Sequence, residues 1–341
     1  MSEQATNAAG NERVPPEILA AIRAASQIAL VGHVTPDADC VGSIAALWLA
    51  LPELGKTAYA ILPADTVARR LKYLLRHAGL AATAEAPPKN FDLALVLDTA
   101  KDRRINLPAE LGSRPSVPII NIDHHATNTQ FGRWNWVVPQ ASSTSELVHR
   151  LLRALGCQIT PTIATLLYAG IHSDTQGFSL VNTTAECLGV AQELAFAGAR
   201  IAEVCERLHR SHSPQEFELL KQVYTNTRVS PDGRLAWSTL SYDEIRATGC
   251  NAAVIDDQVE VPRSIEGVLV AILFSEGERG RVRMNFRGEQ GTGVLPLAQK
   301  FGGGGHYASA GARLEGTLAE VVDRVLPAAR EFAAGLTLPN G

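Results

Sequence analysis

The first part of the chain alternates short apolar runs with helical segments. QIALVGH (27–33), TAYAIL (57–62), FDLALVLD (91–98) and VPIINID (117–123) have the length and composition of buried strands. Helices are predicted from Pro15–Pro16 onward, over 38–51 and, as a basic helix, over 66–77. Strands that alternate with helices in this way predict a parallel sheet with helices on both faces.

The pattern turns helical near residue 143 and regains strand character after Arg228. Helices are predicted over 143–155, 160–174, 182–198 and, as two helices broken near Ser213–Pro214, over 200–226. Later strands are predicted over 234–241, 267–276 and 281–288, and later helices over 295–302 and 318–335. This order predicts a disordered tail (1–14), an α/β catalytic domain (15–190), a helical linker (191–228) and a smaller α/β domain with a mixed sheet (229–335).

Composition narrows the class of protein. Hydrophobic residues make up 46% of the 341 residues and charged residues 19%, which is typical of a soluble globular chain. The net charge of −4 argues against a protein that coats long nucleic acid, but it allows a small anionic substrate. Five cysteines without CxxC spacing, no signal-peptide pattern and no apolar run near the ~18 residues of a membrane span predict a cytoplasmic protein.

Acidic and imidazole side chains follow each of three predicted strands. His33, Asp37 and Asp39 follow the first, Asp98 follows another, and Asp123-His124-His125 ends a third. Asp174 lies in a further segment after a buried helix. Because ligand sites of open parallel sheets lie beyond the carboxyl ends of the strands, we expect these side chains at one rim.

Such a cluster of carboxylates would be strongly unfavourable without cations. Carboxylates mixed with imidazoles suit Mn²⁺ or Mg²⁺, and the number of ligands predicts two ions. Taken singly, each residue has an ordinary explanation as a helix cap or a half-buried histidine. Taken together, these explanations are unrelated to one another, and a separate one is needed at every strand end of the same sheet. His172 stays in the ordinary class, and Cys40 is interpreted as a small buried residue at a helix start.

A second chemical signal lies near the C-terminus. Four consecutive glycines, 302–305, precede His306 and would let backbone N–H groups close around an anion. Arg281, Arg283 and Arg287 alternate along one predicted strand and therefore share a face. A flexible linker beside a solvated strand face is the competing interpretation, and the flanking helix and apolar segment argue against it.

These motifs together resemble the DHH phosphoesterase family. The resemblance rests on His33-x-x-x-Asp37-x-Asp39, Asp98, Asp123-His124-His125 and Asp174, and on the GGGGH loop of a DHH-associated domain. It covers about residues 25–315. The two-domain layout is most similar to NrnA-type nanoRNases, which degrade very short RNA and often dephosphorylate 3′-phosphoadenosine 5′-phosphate (pAp).

The resemblance implies a role for each matching residue. His33 and Asp37 would hold one Mn²⁺, and Asp39, His124 and Asp174 another, with Asp98 bridging; Mg²⁺ or another divalent ion remains open. Asp98, Asp123 and His125 are the candidate catalytic residues. The candidate substrate-binding residues are Arg287, Gly303, Gly304, Gly305 and His306. Many relatives carry Lys where this chain has Tyr307, which could stack on a base or simply pack.

The expected partner is short RNA or a small nucleotide, without long duplex nucleic acid or a membrane, and a homodimer is left open. One alternative keeps the chemistry but takes cyclic di-AMP or its linear product pApA as substrate. Hydrolysis of inorganic pyrophosphate or polyphosphate is a second alternative, against which the GGGGH tail argues. The third is a nucleotide-binding regulator without catalysis, against which the full set of candidate ligands argues.

Overall fold

The computed structural model describes residues 13–62, 67–80, 91–105, 117–209, 212–250, 252–289, 291–305 and 307–336. The chain divides into two compact units, Met1–Ser211 and His212–Gly341. This division lies inside the segment predicted as a helical linker, 191–228. Residues 1–12 of the predicted disordered tail lie outside the described residues, whereas Val14 packs on the core of the first unit.

The first unit is built on a parallel five-stranded sheet. Its strands are β1 (Gln27–Val31), β2 (Thr57–Ile61), β3 (Leu93–Leu97), β4 (Ile119–Asp123) and β5 (Trp134–Val137), in the order β2-β1-β3-β4-β5. Every neighbouring pair is parallel. All five residues of β3 are buried, as expected for a strand in the middle of such a sheet. The predicted parallel-sheet domain is confirmed.

Among the described residues, helices pack with one face of this sheet in the main core of the unit. They are α1 (Pro16–Ala24), α2 (Ala38–Ala50), α3 (Lys72–Ala78), α4 (Thr144–Leu155), α5 (Pro161–Asp174), α6 (Ala185–Phe196) and α7 (Ile201–His209). The central helix α2 crosses α5 at close range, and Gly42 makes this possible. Any Cβ at that position would lie 2.4 Å from the carbonyl oxygen of Leu166. This contact fixes the start of α2 and the end of α5 relative to the sheet.

The opposite face of the sheet carries a smaller apolar cluster. It contains Ala29, Val31, Ile61, Phe91, Ala94 and Val96, with Ile105, Val117, Ile119 and Phe131 packed against it. The predicted basic helix begins later than expected, since a short 3-10 turn at Arg69–Leu71 precedes α3. Strand β5 escaped prediction because it has only four residues.

The second unit contains a mixed six-stranded sheet. Its strands are β6 (Arg228–Val229), β7 (Leu235–Leu240), β8 (Val270–Glu278), β9 (Arg281–Gly288), β10 (Gly304–Gly305) and β11 (Ser309–Glu315), in the order β10-β11-β9-β8-β7-β6. Only the β7–β8 pair among these described strands is parallel. Phe274, Met284 and Phe286 are fully buried in its core. The predicted mixed-sheet domain is confirmed.

The helices of the second unit include several that the hydrophobic pattern did not predict. They are α8 (Pro214–Asn226), α9 (Tyr242–Thr248), α10 (Ala252–Asp257), α11 (Glu260–Arg263), α12 (Leu295–Gln299) and α13 (Leu318–Ala334). The short helices α9 to α11 are too brief to show a clear period. Across the described part of the chain, no helix combines the length and the apolar character needed to cross a membrane.

Candidate metal centre

The structure brings the six predicted metal ligands together in the first unit. They are His33 after β1, Asp37 and Asp39 at the start of α2, Asp98 after β3, His124 after β4, and Asp174 at the end of α5. The carboxyl ends of the parallel strands and the N-terminus of α2 meet at one edge of the sheet. Helix α5 adds Asp174 because its last turn ends at the same place.

Asp98 lies between two groups of ligands. Its Oδ2 is 3.5 Å from His33 Nε2, and its Oδ1 is 3.7 Å from His124 Nε2. The residue is buried, and its φ of 52° is a left-handed conformation that few non-glycine residues adopt and that is enriched at functional sites. Thr144 Oγ1 donates to Oδ1 at 3.2 Å and holds the carboxylate in this orientation. One oxygen thus faces each half of the centre.

The carboxylate of Asp39 is fixed by the N-terminus of α4. Its Oδ2 accepts a hydrogen bond from the backbone N–H of Thr144 at 2.6 Å, and its Oδ1 accepts one from Ser145 at 2.7 Å. A Cβ on Gly170 would lie 2.0 Å from Ser145 Oγ and 2.7 Å from Asp39 Oδ1, so only glycine leaves room for this arrangement. The helix terminus therefore offsets part of the cost of placing a negative charge on this fully buried carboxyl group.

One half of the centre consists of Asp39, His124 and Asp174. Each offers one ligand atom, and these atoms lie within 4.8 Å of one another. His124 Nε2 is 3.1 Å from Asp174 Oδ2 but is buried and makes no hydrogen bond of good geometry with any described residue. A buried nitrogen that approaches carboxylates without such a bond is what a shared cation would require.

The other half of the centre starts from His33. Its Nε2 lies 3.9 Å from Asp37 Oδ2, in addition to the approach to Asp98. Asp37 also caps α2, since its Oδ1 accepts hydrogen bonds from the backbone N–H groups of Asp39 and Cys40 at 3.1 and 3.0 Å. His33 is buried, whereas the side chain of Asp37 is 54% exposed. This half therefore opens to solvent on the side of Asp37.

The pKa values show how strongly these charges depend on one another. The pKa of Asp174 is raised to about 6, mainly by burial. His124 lowers this pKa, and the negative charges of Asp37 and Asp98 offset part of that lowering. Burial, followed by the charges of Asp174 and Asp98, also raises the pKa of Asp39 well above its ordinary value. Burial alone would lower the pKa of His33, but Asp37 and Asp98 raise it to about 10. Without cations, the raised pKa values mean that protons on these side chains reduce the repulsion between the carboxylates. Divalent cations could take the place of those protons, because the same oxygen and nitrogen donors are suitable ligands.

His125 lies beside the ligands in a chain of hydrogen bonds. Its Nδ1 is 2.7 Å from Asp123 Oδ1 and 3.6 Å from Asp98 Oδ1. Asp123 is fully buried, and Asn128 Nδ2 donates to its Oδ2 at 2.6 Å. Burial would lower the pKa of His125, but Asp123 and Asp98 raise it. A buried carboxylate that accepts from Nδ1 fixes the tautomer and orientation of the ring.

Several supporting residues were missed from the sequence. Thr144 and Ser145 orient two carboxylates, Asn128 orients Asp123, and Asn182 Nδ2 donates to the backbone carbonyls of Ser142 and Asp174 at 3.0 and 3.1 Å. The stretch SSTSE (142–146), which includes the N-cap Ser143 and the first residues of α4, carries the signal of a capped helix N-terminus, which is an anion-binding feature. Asn128 and Asn182 carry no comparable pattern.

In the second unit, Arg287 lies on β9 within a network of charges. Its Nε is 3.6 Å from Glu260 Oε1, and its Nη1 donates to the carbonyl oxygen of Phe286 at 3.1 Å. Burial lowers the pKa of Arg287, partly against the attraction of Glu260 and neighbouring acids. Arg283, on the same strand, pairs with Asp256 at 2.7 Å. Arg281 pairs with Glu278 at 2.9 Å, so each of the three arginines predicted to share this face has a carboxylate partner within the unit.

The glycine loop pairs with a strand. Gly304 and Gly305 form β10, which is antiparallel to β11. A Cβ on Gly303 would lie 2.3 Å from the carbonyl oxygen of Gly311, so close packing on β11 requires glycine there. His306, predicted to bind substrate, lies outside the described residues. Tyr307 is 66% exposed, and its ring covers Gly293, where a Cβ would lie 2.4 Å from it.

Comparison with known proteins identifies the family. The model described as the DHH family, N-terminal domain, matches residues 27–171, and the DHHA1 domain model matches residues 238–335. A bifunctional oligoribonuclease and PAP phosphatase NrnA from Thermus thermophilus is 36% identical over 94% of this chain and 93% of its own length. The chain belongs to the DHH family. The Bacillus subtilis protein of the same name is 28% identical over 87% of this chain and 92% of its own length.

A solved structure supports the fold of this DHH protein over most of its length. An exopolyphosphatase-related protein from Bacteroides fragilis superposes with a TM-score of 0.83, at 24% identity, over 96% of this chain and 98% of that one. At this identity the likeness concerns the fold alone. The family resemblance inferred from the motifs is thus confirmed, and this DHH phosphoesterase is related to NrnA proteins at modest identity.

Proposed function

We propose that this chain is a two-metal phosphoesterase that hydrolyses very short oligoribonucleotides to mononucleotides and pAp to AMP. The observation that carries the proposal is Asp98, whose two oxygens face His33 on one side and His124 on the other. A carboxylate in this position is suited to bridge two cations. The relatives called bifunctional oligoribonuclease and PAP phosphatase support the choice of substrates.

The donor set fits two divalent cations, for which Mn²⁺ is our proposal. His33, Asp37 and Asp98 would hold one, and Asp39, Asp98, His124 and Asp174 the other. When bound, the pair supplies a water nucleophile that is ionised near neutral pH and neutralises charge on the phosphoryl group. Asp39 needs no reorientation for this role, because two backbone N–H groups already hold its carboxylate.

His125 would act on the substrate and Asp123 would position it. Because Nδ1 faces Asp123, Nε2 is the nitrogen that we assign to a phosphoryl or leaving-group oxygen. The raised pKa of His125 favours the protonated ring, which can donate that proton. In this proposal Asp123 acts through His125, since its own oxygens accept hydrogen bonds from His125 and Asn128.

The second unit would hold the substrate. We assign this role to Arg287, His306 and the backbone of Gly303 to Gly305, as the family resemblance implies. Arg287 is suited to it because a partly desolvated guanidinium binds a phosphate more strongly than an exposed one. Its counterion Glu260 would have to share or release it when a phosphate arrives.

A substrate panel tests the proposal. The full chain with Mn²⁺ is offered pAp, ribonucleotides of two to five residues, cyclic di-AMP, pApA and pyrophosphate, and the products are separated by chromatography. We expect the fastest turnover on short RNA and pAp, loss of turnover in Asp98→Ala, and normal turnover in Asp102→Ala, which changes an exposed aspartate after the same strand. Preference for cyclic di-AMP, pApA or pyrophosphate would replace the proposed substrate, and no turnover would favour a binding protein.

A further inference from the structure

The thiol of Cys40 lies inside the metal centre. Cys40 is fully buried in the first turn of α2, next to Asp39. Its sulfur is turned toward the end of β1, because a Cβ on Gly32 would lie 2.1 Å from Sγ. His33 follows Gly32 directly, so the sulfur is adjacent to the first predicted ligand rather than to the apolar interior alone.

His33, Cys40 and Asp98 form a compact group of possible ligands. Each offers one atom, these atoms lie within 4.8 Å of one another, and all three residues are buried. A second observation concerns His33, which is 7% exposed: its Nε2 lies 3.5 Å from Asp98 Oδ2, and its other ring nitrogen, Nδ1, is buried without a hydrogen-bond partner among the described residues. Asp37, which the family resemblance assigns to the same ion, lies on the exposed side of this group.

We infer that Cys40 is a thiolate ligand of the cation held by His33 and Asp98. Coordination exchanges the S–H bond for a sulfur–metal bond and releases the thiol proton to solvent, with no change in the oxidation state of sulfur. The ligand set of this half is then one nitrogen, one sulfur and carboxylate oxygen. Such a set binds Zn²⁺, Co²⁺ or Fe²⁺ in preference to Mn²⁺ or Mg²⁺.

The two halves of the centre therefore differ in chemistry. The half formed by Asp39, His124 and Asp174 offers oxygen and imidazole nitrogen only, which suits Mn²⁺ or Mg²⁺. The half with Cys40 adds a soft donor. The pair of sites is thus built for two different cations, or for one cation at two affinities. This inference deepens the proposed function, since it concerns the same metal centre, but it is tested without substrate.

Absorption spectra of the Co²⁺-loaded protein test the inference. Metal-free full-length protein is titrated with Co²⁺ while the near-ultraviolet band of thiolate-to-cobalt charge transfer is recorded. We expect the band to grow with the first bound equivalents in the wild type and to be absent in Cys40→Ser and Cys40→Ala. The matched control is Cys157→Ala, a buried cysteine after α4 that is outside the ligand groups, and it should keep the band.

Metal affinity gives a second measurement. Cys40→Ala should weaken Zn²⁺ and Co²⁺ binding by at least the roughly tenfold loss expected when even an outer partner of a ligand is removed. Binding of Mn²⁺ should change much less. If neither Cys40 variant folds, a protein in which the four other cysteines are replaced by alanine must still show the band.

Each result distinguishes this inference from the proposed function. Wild-type protein that binds no Co²⁺, binds it without the band, or keeps the band in Cys40→Ser overturns the role of Cys40. Turnover of short RNA with Mn²⁺ in that case leaves the proposed function standing. A band without turnover on any substrate of the panel would support the thiolate ligand and reject the proposed function.

Discussion

Asp123→Asn separates positioning of His125 from metal binding. Asp123 accepts a hydrogen bond at 2.7 Å from His125 Nδ1, and its other oxygen accepts one from Asn128 at 2.6 Å. An amide of the same shape can still accept from Asn128. Its NH₂ group would then face Nδ1 as a donor, which disfavours the doubly protonated ring. His125 would keep a proton only on Nε2 of a neutral imidazole, which is a far weaker acid than the imidazolium that we assign to the reaction.

The expected loss follows from the bond that is removed. A hydrogen bond to a charged group contributes about 1.5–3 kcal/mol, which corresponds to a loss of roughly ten- to a hundredfold in kcat. The charge of Asp123 also raises the pKa of His125, so the variant should have a lower pKa there. If His125 acts in its protonated form, the activity of Asp123→Asn is lost at a lower pH than that of the wild type.

The assay is the pH dependence of kcat on pAp, together with metal content. Both cations should stay bound in Asp123→Asn, and the alkaline limb of the profile should move to lower pH. Glu193→Gln is the matched control, because it alters another carboxylate–histidine pair, Glu193 and His149, in the same unit. An unchanged kcat and profile would refute the positioning role, and loss of metal equal to that in His124→Ala would make Asp123 part of the ligand set.

The other predictions concern the metals, the stability and the substrate grip. Asp98→Ala should lose both cations in metal analysis; full activity with one ion per chain at saturating Mn²⁺ would contradict the bridge. Because the pKa of Asp174 is raised to about 6, its charge destabilises the metal-free fold above that pH. Asp174→Asn should therefore increase the free energy of unfolding of the metal-free protein at pH 8 by on the order of 1–3 kcal/mol and raise its Tm. This gain should fade as the pH falls below about 6. An equal or lower Tm at pH 8 would contradict the prediction. Arg287→Ala and His306→Ala should raise KM for pAp by roughly ten- to a hundredfold while the metals stay bound. Unchanged kinetics would show that these residues do not bind the substrate. The wild type should degrade ribonucleotides of two to five residues far faster than a long strand, and equal rates would remove any role of the second unit in length selection.

The ends of the strands were predictable from two facts: apolar runs mark the strands, and ligand sites of parallel sheets lie beyond the carboxyl ends of the strands. Apolar runs such as QIALVGH and FDLALVLD predict strands, and parallel strands deliver the residues that follow to one edge. The sequence alone therefore predicts that His33 and Asp98 lie near each other. That Asp98 turns one oxygen to each side depends on its left-handed backbone and on Thr144, which no pattern in the sequence reveals.

The supporting contacts were harder to predict because they join distant parts of the chain. Asp39 and Ser145 are 106 positions apart, and their hydrogen bond depends on how α2 crosses α4. Gly170 looks like any helical glycine until the space around Asp39 is known. In the sequence, Cys40 is typical of a small core residue, and the role that we infer for it depends on its approach to His33 and Asp98 in the fold.

The metal centre combines two requirements that oppose each other in the absence of cations. Its carboxylates must be buried and close together to share ions, yet burial and mutual repulsion raise the pKa values of Asp39 and Asp174. The fold offsets part of this cost by directing the N-terminus of α4 at Asp39, and the histidines offset more by taking up protons. Cations that replace those protons would convert this unfavourable charge into binding free energy. Stability and metal affinity should therefore be linked in this protein, and a variant that relaxes the cluster should gain the first at the expense of the second.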